Sequence, residues 1–175
     1  MDVKVYYVFL ALIGAERFAE LWLSRRNARK AFARGGMERG NFLPMALVHT
    51  LLFPACLIEA KTFHPAVALL VLFSQVLRWW AVVSLGDRWN VRVIVVPGDA
   101  PLKRGPYRWV RHPNYIAVIA EMLFVPLAGG AWVTAIVFSA LNALLLRVRI
   151  RDEERALGAD YQREFGKVPR FIPHG

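Results

Sequence analysis

The 175-residue chain is 57% apolar with a formal charge of +10, more hydrophobic than one soluble domain needs to fill its core. Its basic residues fall in blocks between long apolar runs, which reads as membrane topology and argues against nucleic acid as the partner behind the charge. The single cysteine, Cys56, excludes an internal disulfide and a dithiol or Cys/His metal centre.

Taken in chain order, five apolar runs are predicted as helical spans, at residues 3–23, 42–60, 65–85, 115–128 and 131–146. A full crossing takes about 20 residues, so the first three qualify and the last two are short. The first run lacks a small-residue cleavage site and reads as a retained anchor. Glu16 and Glu20 lie one helical turn apart within it and are expected to meet Arg17 or loop arginines. The connector that follows carries Arg25, Arg26, Arg29, Lys30, Arg34 and Arg39 against Glu38 alone, so it is assigned to the cytoplasm. Gln75 and Glu121 sit inside apolar runs and are expected to face the bundle interior. Trp79 and Trp80 read as packing or interface anchors. His49, His64 and His174 lack metal-ligand spacing, and no metal is expected.

Residues 86–112 alternate strand-like Val91, Val93, Ile94 and Val95 with Pro97, Gly98, Pro101, Gly105 and Pro106. That pattern cannot be a membrane helix, and its aromatics argue for a folded cytoplasmic loop. The fourth and fifth runs meet at Ala128-Gly129-Gly130-Ala131, the signature of a tight helical hairpin. The fold class expected is an all-α integral membrane protein of about five transmembrane helices, the last two a hairpin, with a cytoplasmic loop and a C-terminal helix. The N-terminus would lie outside and the segment from Arg147 in the cytoplasm.

Two polar blocks can carry chemistry. In Gly105-Pro106-Tyr107-Arg108-Trp109-Val110-Arg111-His112-Pro113-Asn114-Tyr115, Pro113 suits the first turn of a helix, which puts His112 at its cap. Such a cap, beside Arg108 and Arg111, is a natural anion site, and an interfacial belt of aromatic and basic residues explains it equally well. In Arg147-Val148-Arg149-Ile150-Arg151-Asp152-Glu153-Glu154-Arg155, helical spacing puts Arg149 and Glu153 on one face. Ordinary solvated ion pairs would explain each of these residues taken singly. The tail from Tyr161 to Pro173, rich in aromatics and prolines, reads as packed and able to cover a site.

These blocks, in order, resemble the isoprenylcysteine carboxyl methyltransferase family, itself similar to phospholipid methyltransferases. The resemblance runs from about Gln75 to Pro173. It rests on Leu85-Gly86, Gly105-Pro106-Tyr107, Arg111-His112-Pro113-Asn114-Tyr115, Arg149-Ile150 with Glu153-Glu154, and the Phe165-Gly166 and Val168-Pro169 tail. Phe18-Ala19-Glu20-Leu21 and Ser24-Arg25-Arg26-Asn27 also resemble a bacterial branch that methylates alkylpyrones and alkylresorcinols.

The resemblance implies one membrane methyltransferase domain over residues 1–175, with N-terminal spans in 1–64 and a core with the cofactor and catalytic motifs in 65–175. S-adenosyl-L-methionine would be bound by Tyr107, His112, Pro113, Tyr115 and Glu154, with Arg149 and Glu153 beside the transferring methyl. The acceptor would be a lipophilic small molecule or prenylated substrate reaching the site from membrane lipid, and the location a bacterial inner membrane. Two other readings compete. A NADPH-dependent membrane reductase of the sterol type would have Glu at position 118, where this chain has Val118, and matches only at Glu121. A non-catalytic lipid-binding protein would explain the basic loops but not the ordered motifs.

Overall fold

The computed structural model describes residues 2–172, so Pro173 and His174 of the tail lie outside the described residues. Among the described residues are five α-helices and one two-stranded sheet. Helix α1 (Val3–Ala33) starts at Asp2, whose side chain accepts from the Lys4 amide, and runs well past the apolar stretch. Arg25, Arg26, Arg29 and Lys30 therefore stand on a helix rather than in a loop. The reason is local: residues 24–33 contain neither Gly nor Pro and are dominated by strong helix formers, so the helix continues until Gly35-Gly36.

Strand β1 (Met37–Arg39) follows, then α2 (Leu43–Glu59) and α3 (Pro65–Leu85), the last two each with a proline in the first turn. Strand β2 (Val93–Val95) lies in the long loop and pairs antiparallel with β1, Met37 opposite Val95. Helices α4 (Pro113–Ala128) and α5 (Trp132–Phe165) form the expected hairpin. Helix α5 runs from the apolar run through the charged block and bends at Gly158, whose φ of 72° and ψ of −162° suit only glycine.

Two segments, Pro65–Arg88 and Trp132–Phe165, are long and apolar enough to cross a membrane, while α2 and α4 are apolar but shorter. Ile58, Phe73, Val83, Trp132 and Ile136 stand exposed on the bundle. Exposed apolar side chains in that number suit an exterior that meets lipid or another apolar surface.

The hairpin turn is held from three sides. The amides of Lys61 and His64 donate to the carbonyls of Gly129 and Ala128, at 3.1 and 2.8 Å. Tyr6 lies so close that a Cβ on Gly129 would come within 2.5 Å of its ring. Glu59 accepts from the Val133 and Thr134 amides at 2.8 and 2.7 Å, so a carboxylate on α2 satisfies the free N-terminal amides of α5.

Inside the bundle, Gln75 and Glu121 are buried as expected. Arg78, which the sequence reading passed over, is 4% exposed and reaches Glu20 through Nη2 at 2.8 Å and Glu121 through Nη1 at 3.1 Å. Arg17 approaches Glu20 at 2.8 Å and donates to Gln75 and Glu121, both at 3.4 Å. Glu16 completes the group by accepting from Gln75 and from the Trp79 indole. Three helices, α1, α3 and α4, are thus tied by charge as well as by apolar packing.

Candidate functional site

The long loop becomes rigid by attaching to α1. Asn27 donates to the carbonyls of Gly86 and Trp89, at 3.1 and 2.8 Å, and Ser24 donates to Asn90 at 2.8 Å. Trp89 is buried beneath it, and β2 zips onto β1. The chain then makes a short 3-10 turn at Gly105–Arg108 and enters α4, with His112 at the cap and Pro113 in the first turn, as the sequence predicts.

Here the two polar blocks meet. The His112 ring stacks on Tyr115 at 5.2 Å and 19°. Arg149 donates through Nε to the Tyr115 hydroxyl at 2.8 Å, and that hydroxyl donates to Glu153. Arg149 also donates to the Val91 carbonyl and lies over the Phe42 ring at 6.0 Å. Burial would lower the Arg149 pKa, but Tyr115 and Glu153 outweigh it and push it up, so the guanidinium stays charged.

On the other side of His112, Glu154 is clasped. It pairs with His112 Nε2 at 3.1 Å, with Arg111 at 3.1 Å, and with Arg170 at 2.7 and 3.1 Å in a fork. Burial pushes the Glu154 carboxyl up, but the hydrogen bonds from Arg170 and His112 and the charge of Arg111 win and hold it below the ordinary carboxylate value. The tail is also tied by its backbone, since the Arg111 and His112 amides donate to the carbonyls of Pro169 and Arg170 at 2.8 and 3.2 Å.

A cavity of about 1450 Å³ runs along this arrangement. Ordinary small-molecule sites occupy roughly 300–1,000 Å³, so it has room for two ligands. Along α5, Arg149, Glu153, Leu157, Tyr161 and Phe165 line it in succession. Tyr161 and Phe165 stack at 4.9 Å, and Tyr107 packs against them. Burial, and then the nearby Glu153 charge, push the phenols of Tyr107 and Tyr161 up, which keeps both neutral. At the other end the walls come from α1 and α2, with Phe18, Phe42, His49 and Phe53.

Of the residues singled out from sequence, Tyr107, His112, Tyr115, Arg149 and Glu153 line this one cavity. Glu154 stands behind it, on a small groove with Arg170 and Gly158, and Pro113 is buried in the helix start. Sequence reasoning missed Phe42, Arg170 and the Val91 carbonyl as neighbours of Arg149 and Glu154. The first two carried no local signal, because each is remote in sequence from the residue it meets.

The description "isoprenylcysteine carboxyl methyltransferase (ICMT) family" matches residues 66–159, the stretch that supplies both polar blocks. The chain belongs to this family. It is also similar to the uncharacterized protein YpbQ of Bacillus subtilis, 37% identical over 162 residues that cover 87% of this chain and 96% of that one. An uncharacterized protein of Haemophilus influenzae is 29% identical over 161 residues, covering 86% and 93%. Both likenesses reach into the N-terminal helices that the ICMT match leaves out. Membership of the ICMT family makes the chain a methyltransferase of the membrane.

Proposed function

We propose that this chain transfers the methyl group of S-adenosyl-L-methionine to a carboxylate or hydroxyl of a lipophilic acceptor, of the isoprenylcysteine, alkylpyrone or alkylresorcinol kind. The observation that carries the reading is the single cavity whose aromatic, polar-rimmed half at Tyr107, His112 and Tyr161 joins an apolar half at Phe18, Phe42 and Phe53. Arg149, Tyr115 and Glu153 link the two, with Tyr115 stacked on His112 and Arg149 over Phe42.

The residues suit the cofactor. Aromatic faces at Tyr107, Tyr115 and Tyr161 accept a sulfonium, and the basic cap at His112 suits a carboxylate. Pro113 would fix that cap, and Glu154 would act in the cofactor set by holding His112 and the tail in place. When bound, S-adenosyl-L-methionine supplies an electrophilic methyl carbon.

Arg149 would orient the anionic oxygen of the acceptor through its remaining guanidinium donors. Glu153 Oε2, which accepts from the Tyr115 hydroxyl, would take the proton where the acceptor is a phenol. A carboxylate or an acidic enol needs no such base. Closure by the tail would keep water from the cavity.

On this reading residues 1–64 shape the acceptor half and residues 65–175 hold the cofactor and the reacting groups, within one domain. The basic ends of α1 and α5 lie on the cytoplasmic face of a bacterial inner membrane, with the N-terminus outside.

The test is calorimetric titration of the detergent-purified protein with S-adenosyl-L-methionine and, separately, with NADPH. Saturable binding of the first alone, weakened at least tenfold in His112→Ala, is the expected result. Binding of NADPH in its place would overturn the reading in favour of a reductase.

A further inference from the structure

Ser24 of α1 is 2% exposed and bonds to the long loop three times. Its hydroxyl donates to Asn90 Oδ1 at 2.8 Å and accepts from the Val91 amide at 3.2 Å, and its carbonyl accepts from Asn90 Nδ2 at 2.9 Å. Asn90 Oδ1 also accepts from the Arg92 amide at 2.9 Å. That amide belongs to the peptide group joining Val91 to Arg92, and the carbonyl of the same group accepts from Arg149 Nη2.

A trans peptide is planar, with its N–H and C=O pointing to opposite sides, so fixing the N–H fixes the carbonyl. With the Arg92 N–H held on Asn90, the Val91 carbonyl is aimed at the guanidinium. Turned over, the peptide would offer Arg149 an N–H, which a group made of donors alone cannot use.

Arg149 depends on that carbonyl. Its Nε is committed to the Tyr115 hydroxyl at 2.8 Å and its Nη2 to Val91, while Nη1 stays accessible and unbonded among the described residues. Two anchors fix the plane of a rigid guanidinium, whereas one leaves it free to swing. Held by both, Arg149 keeps Nη1 for a ligand in the cavity that it lines.

Resting on the methyltransferase reading above, we propose that Ser24 and Asn90 are positioning residues for methyl transfer. They orient the Val91–Arg92 peptide so that its carbonyl holds Arg149 in the pose that receives the acceptor oxygen. Neither touches the reacting atoms. Ser24 lies outside residues 66–159, so alignment of the acceptor draws on a helix that the ICMT match leaves out.

The test is a double-mutant cycle on methyl transfer to an alkylresorcinol in lipid nanodiscs. Ser24→Ala is expected to lower kcat about tenfold, with S-adenosyl-L-methionine affinity within about twofold of wild type. In an Arg149→Ala background the same change is expected to cost nothing further, because the residue it positions is gone. A loss that persists in full without Arg149 would make Ser24 a residue of the fold only, and an undiminished kcat in Ser24→Ala would remove it from the mechanism. Either result overturns the proposal. Asn90→Ala, which takes the acceptor from the Arg92 amide, runs the same cycle from the loop side should Ser24→Ala fail to fold.

A second readout needs no activity. Val-Arg pairs occur only at 91–92, 110–111 and 148–149, so valine labelled at the carbonyl carbon and arginine at the amide nitrogen give the Val91–Arg92 peptide its own NMR correlation. Without methyl donor, that signal is expected to move in both Arg149→Ala and Ser24→Ala. A signal that ignores either change would also overturn the proposal. Failure of wild type to bind S-adenosyl-L-methionine, with the signal responding as expected, would sink the proposed function alone.

Discussion

The protein holds two clusters of arginine and glutamate, and they are built to opposite ends. In the core of the bundle, Arg17 and Arg78 are matched against Glu16, Glu20 and Glu121 across α1, α3 and α4. Its two most central groups, Arg78 and Glu20, are almost wholly enclosed. Along the cavity, Arg149, Tyr115 and Glu153 are joined by only a chain of hydrogen bonds, with Arg149 lying partly against a ring. Next to them Glu154 is surrounded by an excess of positive partners. The first cluster spends its charges on one another, which makes it a clamp. The second leaves donors facing a cavity, which makes it a site. Residue types alone do not separate the two; the number of partners each charge keeps to itself does.

The sharpest way to break this comparison is Arg78→Ala. It leaves Glu20 and Glu121 buried without their main partner, so a loss of about 3–5 kcal/mol is expected, read by denaturation in micelles. Stability equal to wild type would show that the inner cluster is not a clamp.

Next in size, Arg149→Ala is expected to cut methyl transfer to an alkylresorcinol about 100-fold while S-adenosyl-L-methionine affinity stays within about twofold of wild type. A large stability loss with little change in turnover would make Arg149 a clamp residue as well.

The smallest effect concerns Glu154. Its carboxyl titrates below the ordinary value of 4.5, so the clasp on Arg170 and His112 is fully formed above that value and is lost as pH falls through the lowered one. Hydrogen exchange at the Arg111 and His112 amides, which bond to the tail carbonyls, reports the clasp. Wild type is expected to keep protection down to about the ordinary carboxylate range. Glu154→Gln is expected to lose about tenfold of it already at neutral pH. Unchanged protection in that variant would mean that the tail is held by its backbone alone.

Much of the fold could be read along the chain because the signals are local. The starts of α3 and α4 at prolines, the Gly129-Gly130 hairpin and the non-helical loop 86–112 all rest on backbone preferences of neighbouring residues. The extra length of α1 was available in the same way, since nothing in residues 24–33 stops a helix. Strand β1 was not, because a three-residue strand exists only by pairing with Val93–Val95 more than 50 residues later.

The site follows the same division. The sequence by itself put His112 at a helix cap and Arg149 and Glu153 on a helix beyond the last apolar run, since helical period and proline chemistry act within a few residues. It also marked Gln75 and Glu121 as inward, because polar groups in an apolar run have one acceptable side. Only the tertiary structure decided that Glu154 would be claimed by Arg170 and Arg111, that Phe42 would lie under Arg149, and that Arg78 would join Glu20 to Glu121. Those partners are chosen by how the helices pack, and packing is a property of the whole chain, which no local pattern records.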